Sequence, residues 1–264
     1  ETSRVFGAYN LIGYGAASVG AFAASIPSYF QNDFLVFRSL YLVYGLVGLL
    51  LIVLYRLLGN LESVGTESKR MGIGDMGPKA RRDLTRLSVF FSIDAFGGGF
   101  VSQSLLAYWF YLAYNASLES LGIIFFVANV ITALSTFGAS LLAEHLGNLR
   151  TMVYTHLVSN ALLVSVPLAG TLTGSVLFFF LRQTVSQMDV PTRQAFMAQV
   201  FTEKDRISAN AITNTFRSVS SILGAPISGL LFAAGFTALP ILTGGLSKIF
   251  YDLTTFSAYR KEVK

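Results

Sequence analysis

Four ionisable residues interrupt long apolar stretches of this sequence: Asp94, Arg182, Asp189 and Arg217. An ionised side chain at the depth of a bilayer costs about 2.5–3.5 kcal/mol on insertion scales, so such a group is expected to face a cavity or an opposite charge. Their formal charges sum to zero, which fits mutual pairing. Groups of this kind carry protons, form exchangeable ion pairs along a substrate pathway, or hold a structural network together.

Asp94 is the candidate proton carrier, because removing a carboxylate from water favours its neutral form. Arg217 is its candidate partner: both residues lie about eight to eleven positions into their apolar runs, or roughly 12–16 Å at 1.5 Å per residue. Protonation of Asp94 would release Arg217. It would then shift the equilibrium between two conformations that pair these groups differently.

Two apolar runs carry polar stripes with the spacing i, i+4, i+7 and i+11, which is one face of a helix. The stripes consist of Arg182, Ser186, Asp189 and Arg193 on the first run, and Asn210, Asn214, Arg217 and Ser221 on the second. A polar face of this kind cannot face lipid. We therefore expect its members, except Arg193 and Ser221, to line a substrate or proton pathway together with Asp94 and Asn129. For Arg182 and Asp189 a purely structural network is the alternative.

Other charges are expected nearer the margins of the membrane. Arg193 is expected to reach the cytoplasmic surface with its long side chain. Lys248 and Asp252, spaced i, i+4 near the end of the last run, are expected to form an exposed pair worth a few tenths of a kcal/mol. The glycines at 97–99, directly after Asp94, indicate either close helix packing or a broken, hinged helix.

The composition requires lipid as the solvent. The chain is 53% hydrophobic and only 12% charged, whereas ordinary soluble domains are roughly 25% charged. A membrane-spanning helix needs roughly 20 apolar residues. Eight continuous runs approach that length, which predicts an all-α integral membrane protein with about eight transmembrane helices. The runs are about 7–27, 39–58, 87–112, 118–143, 151–170, 173–197, 208–234 and 236–256.

Lys and Arg concentrate in alternate connections, which sets the expected orientation. The segment 59–86, the loops near 145–150 and 193–206, and the C-terminal tail are basic, whereas the intervening loops carry almost no positive charge. An even number of spans then puts both chain ends in the cytoplasm. The pI near 9.5 reflects this topology, so a nucleic-acid partner loses its support.

A short repeat indicates how the chain is organised. Glu1-x-x-Arg4 and Glu203-x-x-Arg206 each precede an apolar run rich in small residues. If the second opens the fifth helix of a six-helix unit, the first opens the fifth helix of a preceding unit. We therefore expect a fragment of a twelve-helix protein, in which 1–58 are the last two helices of the N-terminal bundle, 59–86 are a flexible cytoplasmic linker and 87–264 are a complete C-terminal bundle.

The loop "SLLAEHLGNLR" resembles the cytoplasmic signature Gly-x-Leu-Ala-Asp-Arg-x-Gly-Arg-Lys of the major facilitator superfamily. Glu144 stands in the acidic position, His145 in the first basic one, Gly147 in the tight turn and Arg150 near the terminal base. Ser140 and Asn148 depart from the signature. The resemblance implies a gate loop whose charges help to close the cytoplasmic side; a plain helix hairpin turned at Gly147 is the alternative.

The strings "DAFGGGF" (94–100), "TMVYTH" (151–156) and "SQMDVPTRQAF" (186–196) resemble a drug-efflux-like subgroup of this superfamily. The resemblance implies a secondary active transporter in the plasma membrane. It would export a small molecule in exchange for protons by alternating access. It also implies that every third helix of a six-helix unit is peripheral. The outer helix 39–58 fits, whereas 151–170, with His156 and Asn160, fits less well.

The composition does not favour an enzyme. The chain has no Cys, two His residues and no Gly-x-Ser-x-Gly elbow, so it lacks the parts of a nucleophilic or metal site. We expect no cofactor, and the expected partners are a small-molecule substrate, protons and the lipid bilayer. A receptor or channel without active transport is the alternative function.

Overall fold

The computed structural model describes residues 2–30, 34–58 and 73–261, and these residues form α-helices joined by short connections. The helices are α1 (Thr2–Ala23), α2 (Ile26–Tyr29), α3 (Phe34–Leu58), α4 (Pro78–Gly99), α5 (Gln103–Tyr114), α6 (Leu118–Leu146), α7 (Asn148–Ser165), α8 (Leu172–Gln183), α9 (Asp189–Val200), α10 (Glu203–Ala233) and α11 (Leu239–Tyr259). Short 3₁₀ turns at Ile73–Asp75 and Val166–Leu168 complete the described part. The predicted all-α class is confirmed.

The prediction of eight spans is only partly confirmed. Four described helices are long and apolar enough to cross a membrane, and a fifth crossing is added if α4 and α5 form one bent span. Two of the other predicted spans do not meet this requirement, for reasons that the apolar composition alone does not show. The run 173–197 is divided into two helices of 12 residues each, and α11 carries Lys248 and Asp252 in its middle.

Helix α4 ends at Gly99 and α5 begins at Gln103, with a bend of 41° between them. The break and the close packing that the glycines indicated are therefore both present, whereas hinge motion stays a prediction. The helix is broken here, and the glycines also allow close packing, since a Cβ on Gly97 would lie 2.7 Å from the carbonyl oxygen of Gly244. A side chain on Gly99 would collide with the backbone at Ser221. The backbones of α10 and α11 therefore lie close to the backbone of α4, without room for a side chain at Gly97 or Gly99.

Helix α4 also begins earlier than expected. It starts at Pro78, whose fixed φ suits the first turn of a helix. The last part of the predicted linker, 78–86, is therefore helical, while 59–72 lies outside the described residues. Helix α3 is exposed along its whole candidate span (0% buried), which agrees with the expected outer helix.

The described helices pack mainly as α10 and α11 on α4, α7 on α8, α9 and α11, and α1 on α6. Two apolar clusters fill the space between them. One surrounds Trp109, Phe110 and Phe179, and the other surrounds Leu87 and Phe196. Asp94, on α4, lies between Phe91 of the second cluster and Phe96, which packs against the first. This helix therefore carries its carboxylate into the interior of the bundle.

Gly147 makes the turn between α6 and α7 with φ +80° and ψ 158°, a combination that is essentially confined to glycine. We expect Gly147→Ala to lower the stability of the protein by about 1–3 kcal/mol through this backbone strain. Gly45→Ala on the exposed helix α3 is the control. It meets no atom within 4 Å and should instead be neutral or stabilising by up to about 1 kcal/mol. The apparent melting temperatures of the purified variants test this, and equal values would contradict it.

Candidate functional site

Asp94 is the centre of a buried ionic network. Its carboxylate is 3% exposed and accepts hydrogen bonds from Lys248 Nζ on α11 (2.6 Å to Oδ1) and from Arg217 on α10 (3.1 Å to Oδ2). The predicted contact between Asp94 and Arg217 is therefore confirmed. The prediction of a surface pair between Lys248 and Asp252 is wrong, because both side chains are buried and each has a partner on another helix.

His156 on α7 connects Asp94 to a second carboxylate. Its Nδ1 lies 2.7 Å from Asp252 Oδ1, and its Nε2 lies 3.5 Å from Asp94 Oδ1. Asn160, one turn later, donates to Asp252 Oδ2 at 3.0 Å. Because an ionised carboxylate only accepts hydrogen bonds, Asp252 fixes the proton of the neutral ring on Nδ1 and turns Nε2 towards Asp94. The resemblance implied a peripheral helix here, which the polar residues of 151–170 already fitted less well, and the contacts of His156 and Asn160 place this helix in the network.

Arg193 on α9 adds a third cation. It donates to Asp189 Oδ2 at 3.0 Å and lies 3.9 Å from Asp94 Oδ2, so the predicted extension to the membrane surface is wrong. The guanidinium carbons of Arg193 and Arg217 each lie 5.8 Å from the ring centre of Phe91, within cation–π range. The network therefore joins five helices, α4, α7, α9, α10 and α11.

The charges of the network balance if His156 is neutral. Its carboxylates are Asp94, Asp189 and Asp252, and its permanent cations are Arg193, Arg217 and Lys248. Pairing of this kind offsets the cost of removing ions from water only when the geometry is good and the remaining lone pairs are satisfied. Removal of one member leaves an uncompensated charge.

Arg182 and Ser186 do not join this network. The helix breaks between Gln183 and Asp189, so the predicted continuous stripe from Arg182 to Arg193 is wrong. Arg182 and Ser186 both donate to the side-chain oxygen of Gln183, at 2.9 and 3.0 Å. Among the described residues Arg182 forms no ion pair with Asp189. Residues 184–188 contain neither Pro nor Gly that would signal this break.

The predicted asparagines occupy different environments. Asn129 on α6 is buried, and its amide nitrogen has no hydrogen-bond partner among the described residues. Asn210 is half-buried and Asn214 is exposed, both on α10 upstream of Arg217. The structure therefore brings Asp94, Asp189 and Arg217 together, and leaves the three asparagines outside the network.

The predicted gate loop forms the turn between α6 and α7. Gly147 has the positive φ that a tight turn needs. Glu144, His145 and Arg150 are exposed, and no ion pair joins any of them to another residue within 2–30, 34–58 or 73–261. Arg150, Gln199 and Arg260 are among the residues that line a cleft of about 580 Å³. The helix-hairpin interpretation accounts for this geometry.

An open cleft of about 420 Å³ gives access to one side of the network. Its charged lining residues are Asp94, Arg217 and Lys248, and hydroxyl groups come from Ser102, Ser218 and Ser221. The break between α4 and α5 lies at its edge, because Gly99 and Ser102 also line it. The site combines several cations on one buried carboxylate, access from outside the bundle and a discontinuous helix.

Asp252 should be important for stability as well as for positioning His156. Asp252→Ala leaves the buried His156 Nδ1 and the Asn160 amide without an acceptor, so we expect a loss of about 2–4 kcal/mol. Asp252→Asn keeps an acceptor oxygen and should lose clearly less. Thermal unfolding of the purified variants measures both values. An Asp252→Ala protein as stable as Asp252→Asn would contradict this role.

No protein-family model matches the chain, and no solved structure matches it. Over 171 residues it is 25% identical to a protein of Saccharomyces cerevisiae described as "Uncharacterized membrane protein YJR124C". That match covers 64% of this chain and 38% of the yeast protein. The chain is a helical membrane protein. The relationship is distant, and the chain spans well under half the length of the relative that it matches.

Proposed function

We propose that the chain is part of a secondary active transporter that couples the movement of a small molecule to protons by alternating access. The observation that carries the proposal is the Asp94 carboxylate, which shares cations from α10 and α11 at the edge of an open cleft. Ionisable groups at membrane depth are expensive and in most membrane proteins mark a pathway. The resemblance to the major facilitator superfamily gives the same function.

The network has the property that a coupling device needs. Asp94 has three cations within 4 Å, Arg193, Arg217 and Lys248, so a change in its charge would redistribute ion pairs among several helices rather than break a single one. A ligand or proton can shift a conformational equilibrium only through such a difference between two states. The bend of 41° between α4 and α5 provides a point where half of a span could tilt.

The resemblance to drug-efflux-like members implies export in exchange for protons, from a plasma membrane, with no catalytic role and no cofactor. Substrate binding would take place in the cleft beside Asp94. The gate-loop role of Glu144, His145, Gly147 and Arg150 belongs to the same proposal. A receptor or a channel would not need a carboxylate that exchanges its partners.

Transport against a gradient distinguishes these functions. Liposomes containing the native-length protein are given an inward or outward pH gradient, and the movement of ethidium, sulfate and succinate is followed as cationic and anionic probes. We expect at least one probe to move against its own gradient, saturably, and to stop when a protonophore is added. Probe movement that only runs downhill and ignores the protonophore would indicate a channel, and no movement of any probe would oppose transport.

A further inference from the structure

At the cleft, two cations of the network are more exposed than the carboxylate that they share. The Arg217 side chain is 23% exposed and that of Lys248 is 11% exposed, whereas Asp94 is only 3% exposed. A molecule entering the cleft therefore meets a guanidinium and an ammonium group before it meets a carboxylate. Both cations pair with the same carboxylate, Asp94. Its single negative charge compensates only one of their two positive charges at this surface.

The remaining lining groups also suit an anion. Ser102, Ser218 and Ser221 supply hydroxyl groups that can donate hydrogen bonds. Ser102 directly precedes α5, so the first turn of this helix adjoins the cleft with backbone N–H groups that have no partner within the helix. The volume of about 420 Å³ lies near the lower end for small-molecule sites.

We propose that this cleft binds a small oxyanion, a carboxylate or a phosphoryl group, and binds it together with one proton that is taken up by Asp94. The proposal rests on the proposed transport function and defines its substrate class. The oxyanion would accept hydrogen bonds from Lys248 Nζ and Arg217. These are the donors that Asp94 occupies when no substrate is present.

Competition for the same donors is what links the anion to the proton. The groups that face Asp94 are Lys248, Tyr251 and Asp252 on α11, Arg217 on α10, His156 on α7 and Arg193 on α9. With Lys248, Arg217 and Arg193 in place Asp94 stays ionised, since opposite charges within about 4–6 Å favour the charged form of a carboxylate. The sequence indicated that desolvation alone makes Asp94 a proton acceptor. The neighbouring cations oppose this effect, so loss of Lys248 and Arg217 to another anion is needed as well. An anion that takes Lys248 and Arg217 leaves the buried Asp94 without its two hydrogen-bonded cations. Arg193 remains at 3.9 Å but is hydrogen-bonded to Asp189, so the neutral form of Asp94 then becomes favourable.

Linkage fixes the direction of this coupling. If the anion favours protonation of Asp94, then the proton favours binding of the anion by the same factor. The two would occupy the site together and cross the membrane in the same direction. Cotransport then replaces the exchange that the resemblance to efflux proteins implies.

Proton uptake on ligand binding tests the inference directly. The native-length protein in weakly buffered detergent solution at pH 7 is titrated with sulfate, succinate or tetraethylammonium, and a soluble indicator reports the pH. Sulfate stands for the phosphoryl group without titrating itself, and succinate stands for carboxylates. We expect sulfate or succinate to bind with uptake of about one proton per anion. Tetraethylammonium should neither bind nor take up protons.

Four variants make the result specific. Lys248→Met should weaken anion binding about tenfold or more, since it removes a charge-assisted hydrogen bond, and Lys248→Arg should restore most of it. Asp94→Asn should bind the anion at least as tightly as the wild type, but without proton uptake. Lys79→Met removes an exposed lysine at the start of α4 and serves as the matched control with unchanged binding. A gain of affinity in Asp94→Asn cannot result from misfolding.

Tight binding of tetraethylammonium, or anion binding that is unchanged in Lys248→Met and takes up no proton, would overturn the inference. Lack of binding by either anion would overturn it as well. The proposed function fails separately. Proton-coupled movement of ethidium alone would support the proposed transport function and contradict an anionic substrate. Binding of an anion with a proton, but without any flux, would support the anion site and contradict the transport function.

Discussion

Asp94→Asn is expected to abolish accumulation driven by a pH gradient, down to the level of liposomes without protein, while leaving substrate exchange at equal pH largely intact. Asparagine keeps the shape of the side chain and one acceptor oxygen but cannot gain or lose a proton. The difference between accumulation and exchange is what identifies a proton carrier. It is measured in liposomes with the transported probe, first under a pH gradient and then with the same probe on both sides.

The matched control for this experiment is Asp83→Asn. Asp83 is also a buried carboxylate on α4, but its partners are the Tyr259 hydroxyl (3.4 Å) and Arg82 (3.9 Å), away from the cleft. It should keep gradient-driven accumulation. The structural alternative predicts that Asp94→Asn is lost at folding, because breaking a buried ion pair costs about 3–5 kcal/mol. We expect a smaller loss, since Arg217 and Lys248 both reach the cleft. Wild-type accumulation by Asp94→Asn would contradict the carrier role.

Gly99→Ala is expected to destabilise the protein strongly. Its new methyl group would collide with the backbone at Ser221 and approach Gly224 Cα to 3.0 Å, so α4 and α10 would have to separate. Overpacking of this kind costs about 1–3 kcal/mol or more, and rigid backbone atoms put Gly99 at the upper end. Gly224→Ala should act similarly, because its Cβ would lie 2.6 Å from the carbonyl oxygen of Phe96.

The neighbouring Gly98 offers a control on the same helix. A Cβ there would lie 3.7 Å from the nearest atoms of Lys248, which is ordinary contact. Gly98→Ala should therefore be close to neutral. Because Gly99 and Gly224 share one crossing, their double variant should lose less than the sum of the single losses. Thermal unfolding of the purified proteins measures all four. A Gly99→Ala protein as stable as Gly98→Ala would contradict the close crossing.

Sequence patterns were sufficient to predict the all-α class and one ion pair of the site, Asp94 with Arg217. The contact between Asp94 and Arg217 followed from counting residues into two apolar runs, because similar counts bring side chains to the same level when both helices enter the membrane from the same side. The all-α class followed from continuous apolar runs about as long as a membrane-spanning helix. In lipid a segment of this kind must satisfy its backbone hydrogen bonds internally, as a helix does.

The rest of the site depended on which face each helix turns inward, and that is decided by packing. Lys248 and Asp252 looked like an exposed pair because the pattern i, i+4 is shared by surface pairs and by buried stripes. A signal was present: Gly244 and Gly245 precede them on α11, and small residues indicate a closely packed face. His156 and Asn160 on α7 show the same spacing and were found only through their contacts with Asp252.

The number of spans could not be counted from hydropathy alone. An apolar run reports composition, whereas a span also requires an unbroken helix. The break between α8 and α9 falls in the sequence Thr184–Met188, where no residue type forbids a helix. Helix α9 begins at Asp189, whose carboxylate pairs with Arg193 one turn later in the same helix at 3.0 Å, and neither feature could be recognised from hydropathy.

The central claim is that Asp94 gains a proton when the cleft takes up its substrate. Infrared difference spectroscopy on the native-length protein at constant pH tests it most directly, with sulfate or isotope-labelled succinate added, whichever binds more tightly. The account predicts a new band from a protonated carboxyl group that grows with occupancy in the wild type and in Asp83→Asn but is missing in Asp94→Asn. Anion binding that produces no such band, or a band that persists in Asp94→Asn, would contradict it.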